Sequence, residues 1–158
     1  MSARPVIEVR GIRKVYGRTV AVDDVSFEVN EGEIFGLIGP NGAGKTTTME
    51  CVEGLRRPDR GHIAVLSLDP TRDGRALQQR VGVQLQQAQL QKRVTVSEAV
   101  ELWASLYPRH VDPVALLDRL GLADKRRARF TTLSGGQKQR LFIALALIHD
   151  PDVECSTS

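Results

Sequence analysis

The sequence has 158 residues, the size of one domain or at most two. Apolar residues make up 41% and charged residues 26%, as in ordinary globular chains. The longest apolar run, residues 141–148, is far short of the about twenty that a membrane-spanning helix needs. No basic-then-apolar leader opens the chain, and two cysteines form no disulfide framework, so we expect a reducing cytoplasm. The net charge of +3 is too small to indicate a nucleic-acid partner.

The first half of the chain is predicted to be rich in strands. Strands are expected at residues 6–9, 25–29, 34–38, 63–66 and 81–85. Segment 34–38 is apolar without alternation, which is typical of a strand buried on both faces of a parallel sheet. A glycine-rich loop follows it and leads into a predicted helix over residues 44–55.

The second half is predicted to be helical, from about residue 88 to 150. Thr95 and Glu98 have capping-box spacing before a helix with one apolar face. Asp112-Pro113 begins a second predicted helix, and Ser134 begins a third that runs to His149. We therefore expect a core of residues 1–87, a helical subdomain of residues 88–150 and a tail of residues 151–158.

The strongest motif is G-x-x-x-x-G-K-T, the P-loop pattern, between the apolar segment and the predicted helix. It comprises Gly39, Pro40, Asn41, Gly42, Ala43, Gly44, Lys45 and Thr46. Glycines let the backbone turn its amides inward to form an anion nest, and the helix directs its positive end there. Lys45 is expected at the β- and γ-phosphates and Thr46 at Mg²⁺, with Thr47 beside them. The simpler alternative is a glycine-rich turn with a surface lysine.

A second motif, Leu133-Ser134-Gly135-Gly136-Gln137, follows roughly ninety residues later and begins a helix. With both motifs in this order, residues 5–153 resemble the ATP-binding subunits of ABC transporters. The resemblance implies an α/β P-loop core, a small antiparallel sheet and a helical signature subdomain. It also implies that Ser134, Gly135, Gly136 and Gln137 close over ATP held by a second subunit in a head-to-tail dimer. An ordinary helix cap is the alternative for these residues.

Further site residues follow from the resemblance. Tyr16, 23 residues before Gly39, stands where the family keeps an aromatic that stacks on adenine; packing on the small sheet is the alternative. Gln86 corresponds to the glutamine that binds Mg²⁺ and relays to the membrane partner, although neighbouring glutamines make the register ambiguous. The implied ligands are ATP and Mg²⁺.

Other conspicuous residues are interpreted as structural. Trp103 is assigned to packing, Cys51 to filling the core, and His110 and His149 to surface or loop positions. The arginine-rich segment 126–129 is interpreted as a solvated face, with contact to a membrane partner or phospholipid headgroups as the alternative.

The ending departs from the family pattern. The resemblance calls for an apolar strand ending in Asp-Glu, where the glutamate is the general base, and a later histidine; residues 153–158 read Val-Glu-Cys-Ser-Thr-Ser. Asp152 and Glu154 precede the expected strand and are rejected as substitutes. We expect truncation, with little or no hydrolysis and no catalytic residue present. One base inserted after a GAG codon for Glu154 would restore Val-Leu-Asp-Glu, so a frameshift is a hypothesis that the downstream gene sequence tests.

The sequence therefore predicts part of an ABC transporter ATP-binding subunit, at the inner face of the cell membrane with a separate permease. The sequence of residues 52–58 most resembles that of exporters of the drug-resistance type. A non-catalytic nucleotide-binding protein is the main alternative. A nucleic-acid-associated ABC ATPase is disfavoured because the chain carries no zinc module or coiled-coil insertion. The transported molecule cannot be predicted.

Overall fold

The computed structural model describes residues 5–84 and 90–156. The chain divides into two compact units, Met1–Gln78 and Gln79–Ser158. The division falls earlier than the boundary expected near residue 87, because the strand that begins at Val81 pairs within the second unit.

The first unit is built on a three-stranded antiparallel sheet of β1 (Ile7–Tyr16), β2 (Thr19–Val29) and β3 (Arg60–Val65), in the order β2-β1-β3. The first unit also contains α1 (Lys45–Val52), which lies within the helix predicted over residues 44–55. The short helix α2 (Gly74–Gln78) was not predicted from the sequence pattern. Alternating residues Ile7 and Val9 of β1 are buried, as expected for a sheet with one covered face. The antiparallel sheet predicted from the resemblance is therefore present.

The predicted strand at 34–38 is wrong. The segment has no regular structure, and among the described residues it belongs to neither sheet. Ile34 and Ile38 are 101% and 97% exposed, and Phe35, 41% exposed, stacks on Phe27 with ring centroids 4.8 Å apart. An apolar strand without alternation is stable only when both faces are covered. Without a covering partner among the described residues, the segment leaves apolar side chains exposed.

The second unit contains α3 (Val96–Ser105), α4 (Pro113–Arg119) and α5 (Gly135–Leu147) around one apolar core. The capping box at α3 is confirmed: Thr95 Oγ1 accepts from Glu98 N at 3.3 Å, and Glu98 Oε2 accepts from Thr95 N at 2.8 Å. The Asp112 side chain caps α4 by accepting from Val114 N at 2.9 Å. These local caps fix where each helix begins, which is why the sequence predicted their starts well.

Part of the expected tail of residues 151–158 forms a strand. Val153–Ser156 forms β5, which pairs in parallel with β4 (Val81–Gln84). Arg80 reinforces the pairing, since its Nε donates to Asp152 Oδ2 at 2.7 Å and its carbonyl accepts from Asp152 N. The backbone ladder decides this outcome, because strand pairing requires hydrogen-bonding groups and not a fully apolar sequence.

His149 lies in the turn that follows α5, one of the two positions expected for it, but its side chain is buried and not on the surface. The side chain is only 3% exposed, its Nε2 lies 3.2 Å from the Val81 carbonyl oxygen, and its ring stacks on Tyr107 with centroids 4.3 Å apart. Burial lowers the pKa of His149, which keeps the imidazole neutral in the fold. His110 is exposed and Cys51 is fully buried, as predicted. No helix in residues 5–84 and 90–156 has both the length and the apolar content for a membrane span.

The exposed segment 34–38 yields a test of solubility. Replacing Ile34 and Ile38 together with serine should reduce aggregation and dye binding to apolar surface, with little change in the free energy of unfolding, because neither side chain is buried. Light scattering, dye fluorescence and thermal melting measure these effects. In contrast, Ile12→Ser should cost at least about 2 kcal/mol, since Ile12 is fully buried. A comparable loss in the double variant would contradict the exposure seen here.

Candidate nucleotide site

The loop of residues 39–44 is shaped by a tight turn and two glycines. Ala43 N donates to the Pro40 carbonyl at 3.2 Å. Gly42 and Gly44 have φ of 82° and 84°, in the left-handed region that side chains disfavour. A Cβ added at Gly44 would overlap the carbonyl oxygen of Ala21 in β2. The backbone thus passes directly against the antiparallel sheet before the helix begins.

The start of α1 is suited to an anion. Its N-cap is Gly44, which offers no side-chain hydrogen bond, and the first turn carries no acidic residue. The first intrahelical hydrogen bond there runs from Thr48 N to Gly44 O at 2.8 Å. The preceding amides, of Lys45, Thr46 and Thr47, therefore have no partner within the helix. Free amides and the helix dipole together favour a negatively charged ligand.

Lys45 lies over the loop. Its Nζ donates to the carbonyl oxygens of Gly39 at 2.6 Å and Pro40 at 2.8 Å. An ammonium has three donors, so one remains for a phosphate oxygen even while the lysine holds the loop. The exposed Thr46 hydroxyl stands beside it in the first turn and is a hard oxygen ligand of the kind Mg²⁺ takes. These residues fit a triphosphate with its metal.

Tyr16 ends β1 and is 41% exposed. Two cations flank its ring: Lys14 Nζ is 5.6 Å and Arg56 Cζ is 5.5 Å from the centroid. Carboxylates hold both cations, since Lys14 pairs with Asp59 at 3.0 Å and Arg56 with Glu50 at 2.6 Å. The Tyr16 ring is therefore partly exposed to solvent, and two cations that are paired with carboxylates lie close to it. These supporting residues could not be predicted from the sequence, because no local spacing links them.

Asp59 is the anchor of this arrangement. Its Oδ2 accepts from Val15 N at 2.8 Å while Oδ1 accepts from Lys14. The backbone hydrogen bond first, and the lysine second, lower the pKa of Asp59. The carboxylate therefore stays ionised and keeps the end of β1 in place.

The signature residues form a second candidate anion site at the start of α5. Ser134 Oγ accepts from Gln137 N at 3.3 Å, and Gln137 Oε1 accepts from Ser134 N at 2.9 Å, which completes a capping box. Gly135 and Gly136 are exposed, with open space where a Cβ would stand. The structure therefore contains the helix cap considered as the alternative. The same cap leaves the two glycine amides and the serine hydroxyl proton for an external anion.

The predicted site residues fall into the two units. Tyr16 and residues 39–47 belong to the first, and Ser134, Gly135, Gly136 and Gln137 belong to the second. Gln86 lies outside the described residues. The glutamine role assigned to it stays a prediction, as do the nucleotide and metal roles of the others.

Comparison with known sequences decides the family. The sequence profile of the ABC transporter family matches residues 22–155, most of the chain. The chain belongs to this family. Both motifs described above lie within the matched region. The assignment therefore rests on the whole domain and not on the P-loop alone.

The curated relatives of this ABC family member have different transport roles. Nod factor export ATP-binding protein I of Ralstonia nicotianae is 37% identical over 97% of this chain, and that of Bradyrhizobium diazoefficiens is 42% identical over 92%. Methionine import ATP-binding protein MetN of Streptomyces coelicolor is 42% identical over 94%. The chain spans 49%, 49% and 48% of those proteins, about half their length.

Solved structures agree with the fold. An ATP binding subunit of an ABC transporter, 27% identical, superimposes with a TM-score of 0.82 over 96% of this chain and 65% of its own. A nucleotide-free ATP-binding cassette from an ABC transporter, 24% identical, superimposes with a TM-score of 0.82 over 96% of this chain and 68% of its own. At this identity the comparison shows a similar fold alone. The chain is thus an α/β ABC ATP-binding domain with partial coverage of its relatives.

The close approach at Gly44 yields a test of the loop. Gly44→Ala should destabilise the first unit strongly, because the new Cβ meets both the disfavoured φ and the Ala21 carbonyl. Gly42→Ala is the matched control, with a similar φ but open space around it, and should cost only about 1 kcal/mol. Chemical unfolding of both variants measures the difference. Equal losses would show that the packing against β2 is not needed.

Glu53, just after α1, is expected to make stability depend on pH. Burial first, and the nearby negative charge of Glu50 second, raise the pKa of Glu53 from 4.5 to about 7. The neutral carboxyl therefore favours the fold, and its stabilisation is complete below about pH 4.5 and lost as pH rises through about 7. Partial solvent exposure screens the effect and keeps it modest.

Glu53→Gln should remove this dependence. The variant should melt about 2–4 °C higher than the unmodified chain at pH 8 and at nearly the same temperature at pH 4.5, because glutamine resembles the neutral acid. Thermal melting across this pH range is the measurement. Glu31→Gln, which changes an exposed carboxylate in a turn, is the control and should leave the pH profile unchanged. An unaltered profile in Glu53→Gln would refute the assignment.

Proposed function

We propose that this chain is the ATP-binding part of an ABC transporter, which couples ATP binding and hydrolysis to transport by a separate membrane permease. The proposal is carried by one observation: Lys45 and the uncapped amides of α1 converge on the glycine loop. The proposed partners are a second ATP-binding subunit and the permease, and no nucleic acid. The proposed location is the cytoplasmic side, peripheral at the inner face of the membrane.

The steps assigned to this chain are binding and closure. The amides at the start of α1 bind the β- and γ-phosphates, and Lys45 turns part of its hydrogen bonding from the loop carbonyls to phosphate oxygens. Tyr16 supports adenine. Thr46 and Gln86 would hold Mg²⁺, which would neutralise phosphate charge when bound. The signature residues of a second subunit close over the nucleotide. Because ATP binds the closed dimer more tightly than the open one, ATP binding shifts the two subunits toward the closed state.

Export is the proposed direction. Support comes from relatives named for Nod factor export, although the methionine import protein is equally similar in identity. The proposed drug-resistance subtype is supported only by the sequence of residues 52–58 and by no named relative. The transported molecule is therefore left open.

We further propose that these 158 residues bind nucleotide without efficient turnover. The sequence contains no Asp-Glu pair to supply the general base. Asp152 is engaged by Arg80, and Glu154 lies exposed on β5 opposite Gly82. Neither carboxylate has a partner arrangement typical of a general base. A non-catalytic nucleotide-binding role is the alternative that shares this behaviour.

Nucleotide binding and hydrolysis measured together test the proposal. The chain should bind ATP with Mg²⁺ while releasing negligible phosphate. Lys45→Ala should weaken binding at least about tenfold, because it removes charge-assisted hydrogen bonds to phosphate. Arg75→Ala, an exposed cation of the same unit, is the control and should bind normally.

Fluorescence titration with a labelled nucleotide and a phosphate-release assay provide the measurements. Thermal melting must first show that both variants are folded. Unchanged affinity in folded Lys45→Ala would overturn the nucleotide site. Ordinary turnover by the unmodified chain would overturn the proposed lack of hydrolysis but not the binding site.

A further inference from the structure

Two backbone segments of the second unit bring several cations together. Segments 92–97 and 126–131 run side by side: Phe130 N donates to the Val94 carbonyl at 2.9 Å, and Val96 N donates to the Ala128 carbonyl at 3.1 Å. Thr95 and Arg129 form a β-bridge at the centre of this pairing. The exposed cations on the two segments are Lys92, Arg93, Arg127 and Arg129, here called the basic patch.

Three acidic groups of the same unit are already engaged. Asp118 pairs with Arg126 at 2.5 Å, and Asp124 pairs with Lys125 at 2.9 Å. Glu98 accepts from both the amide and the hydroxyl of Thr95 in the capping box. The lowered pKa of Glu98, which those hydrogen bonds cause, keeps it bound there as a carboxylate. Within residues 5–84 and 90–156, the four patch cations have no acidic partner.

The surroundings of the patch indicate what it can recognise. The apolar residues of the two segments and their neighbours, such as Phe130 and Leu133, are buried in the core. Among the described residues, no large apolar side chain of these segments is exposed. A peptide partner needs pockets for its side chains, and this surface offers only long cationic side chains. Such a surface is suited to a partner with a high density of negative charge and does not discriminate between peptide sequences.

We propose that the basic patch binds anionic phospholipid headgroups of the membrane surface. Clusters of four or more lysines and arginines are attracted to anionic lipid, and the attraction falls off within a Debye length of about 8 Å at physiological salt. Guanidinium groups also form paired hydrogen bonds with phosphate, which suits three of the four patch residues. The binding goes beyond the proposed function, since it uses no residue of the nucleotide site.

Vesicle sedimentation of the whole chain tests the proposal. The chain should sediment with vesicles of phosphatidylcholine containing about 30% phosphatidylglycerol, should ignore pure phosphatidylcholine, and should be released by about 0.5 M NaCl. The patch variant combines Lys92→Gln, Arg93→Gln, Arg127→Gln and Arg129→Gln. The matched control removes the same charge from exposed cations of the first unit: Arg18→Gln, Arg57→Gln, Arg60→Gln and Arg75→Gln.

The patch variant should lose at least about tenfold in partitioning, and the control less than about twofold. Equal losses in both variants would refute the patch, as would binding of the unmodified chain to pure phosphatidylcholine or resistance to salt. Binding to polyglutamate that depends on the patch, without binding to vesicles, would refute the lipid proposal and indicate an acidic protein as the partner. The salt and lipid comparisons need no variant and so hold even if a variant misfolds. Lys45→Ala should sediment normally, so loss of vesicle binding and loss of nucleotide binding are separate outcomes.

Discussion

The approach of Gly44 to the Ala21 carbonyl is the constraint on which the candidate nucleotide site depends. It brings the start of α1 against β2 at a distance where no side chain fits. The sheet therefore serves as a support for the glycine loop, and the uncapped amides and Lys45 meet above it. The same unit supports Tyr16 through paired charges around β1. Glycine adopts this left-handed backbone without strain, whereas any residue with a Cβ would be strained there and would meet the Ala21 carbonyl.

The second unit is organised around α5. One end begins at the capped Ser134, and the other end reaches β4 through His149, whose neutral ring lies between Tyr107 and the Val81 carbonyl. Arg109 joins the same end by donating to the carbonyl and the carboxylate of Asp150 at 2.8 Å each. The signature residues thus stand on a helix whose far end is fixed to the strand that precedes Gln86. A rigid helix of this kind can transmit a displacement from one end to the other.

Much of this was predictable from local sequence. Capping residues such as Thr95, Asp112 and Ser134 satisfy amides within their own turn, so their position alone predicts where a helix begins. The glycine loop is predictable for a similar reason, because its chemistry is contained in eight consecutive residues. The strand at 34–38 was predicted wrongly, and the burial of the His149 side chain in its turn was not predicted. Both depend on what lies across the chain, which periodicity does not report.

The sequence by itself determined the family, the glycine loop, the helix starts and the residue types at both candidate anion sites, because these features are set by neighbours along the chain. Only the tertiary structure decided that residues 153–156 form a strand, that residues 34–38 lie mostly exposed, and that four cations without an acidic partner among the described residues stand on two paired segments. Each of these outcomes depends on backbone or charge partners distant in sequence. Pairing of that kind is a free-energy balance between the contact and the cost of bringing remote segments together, which no local pattern encodes.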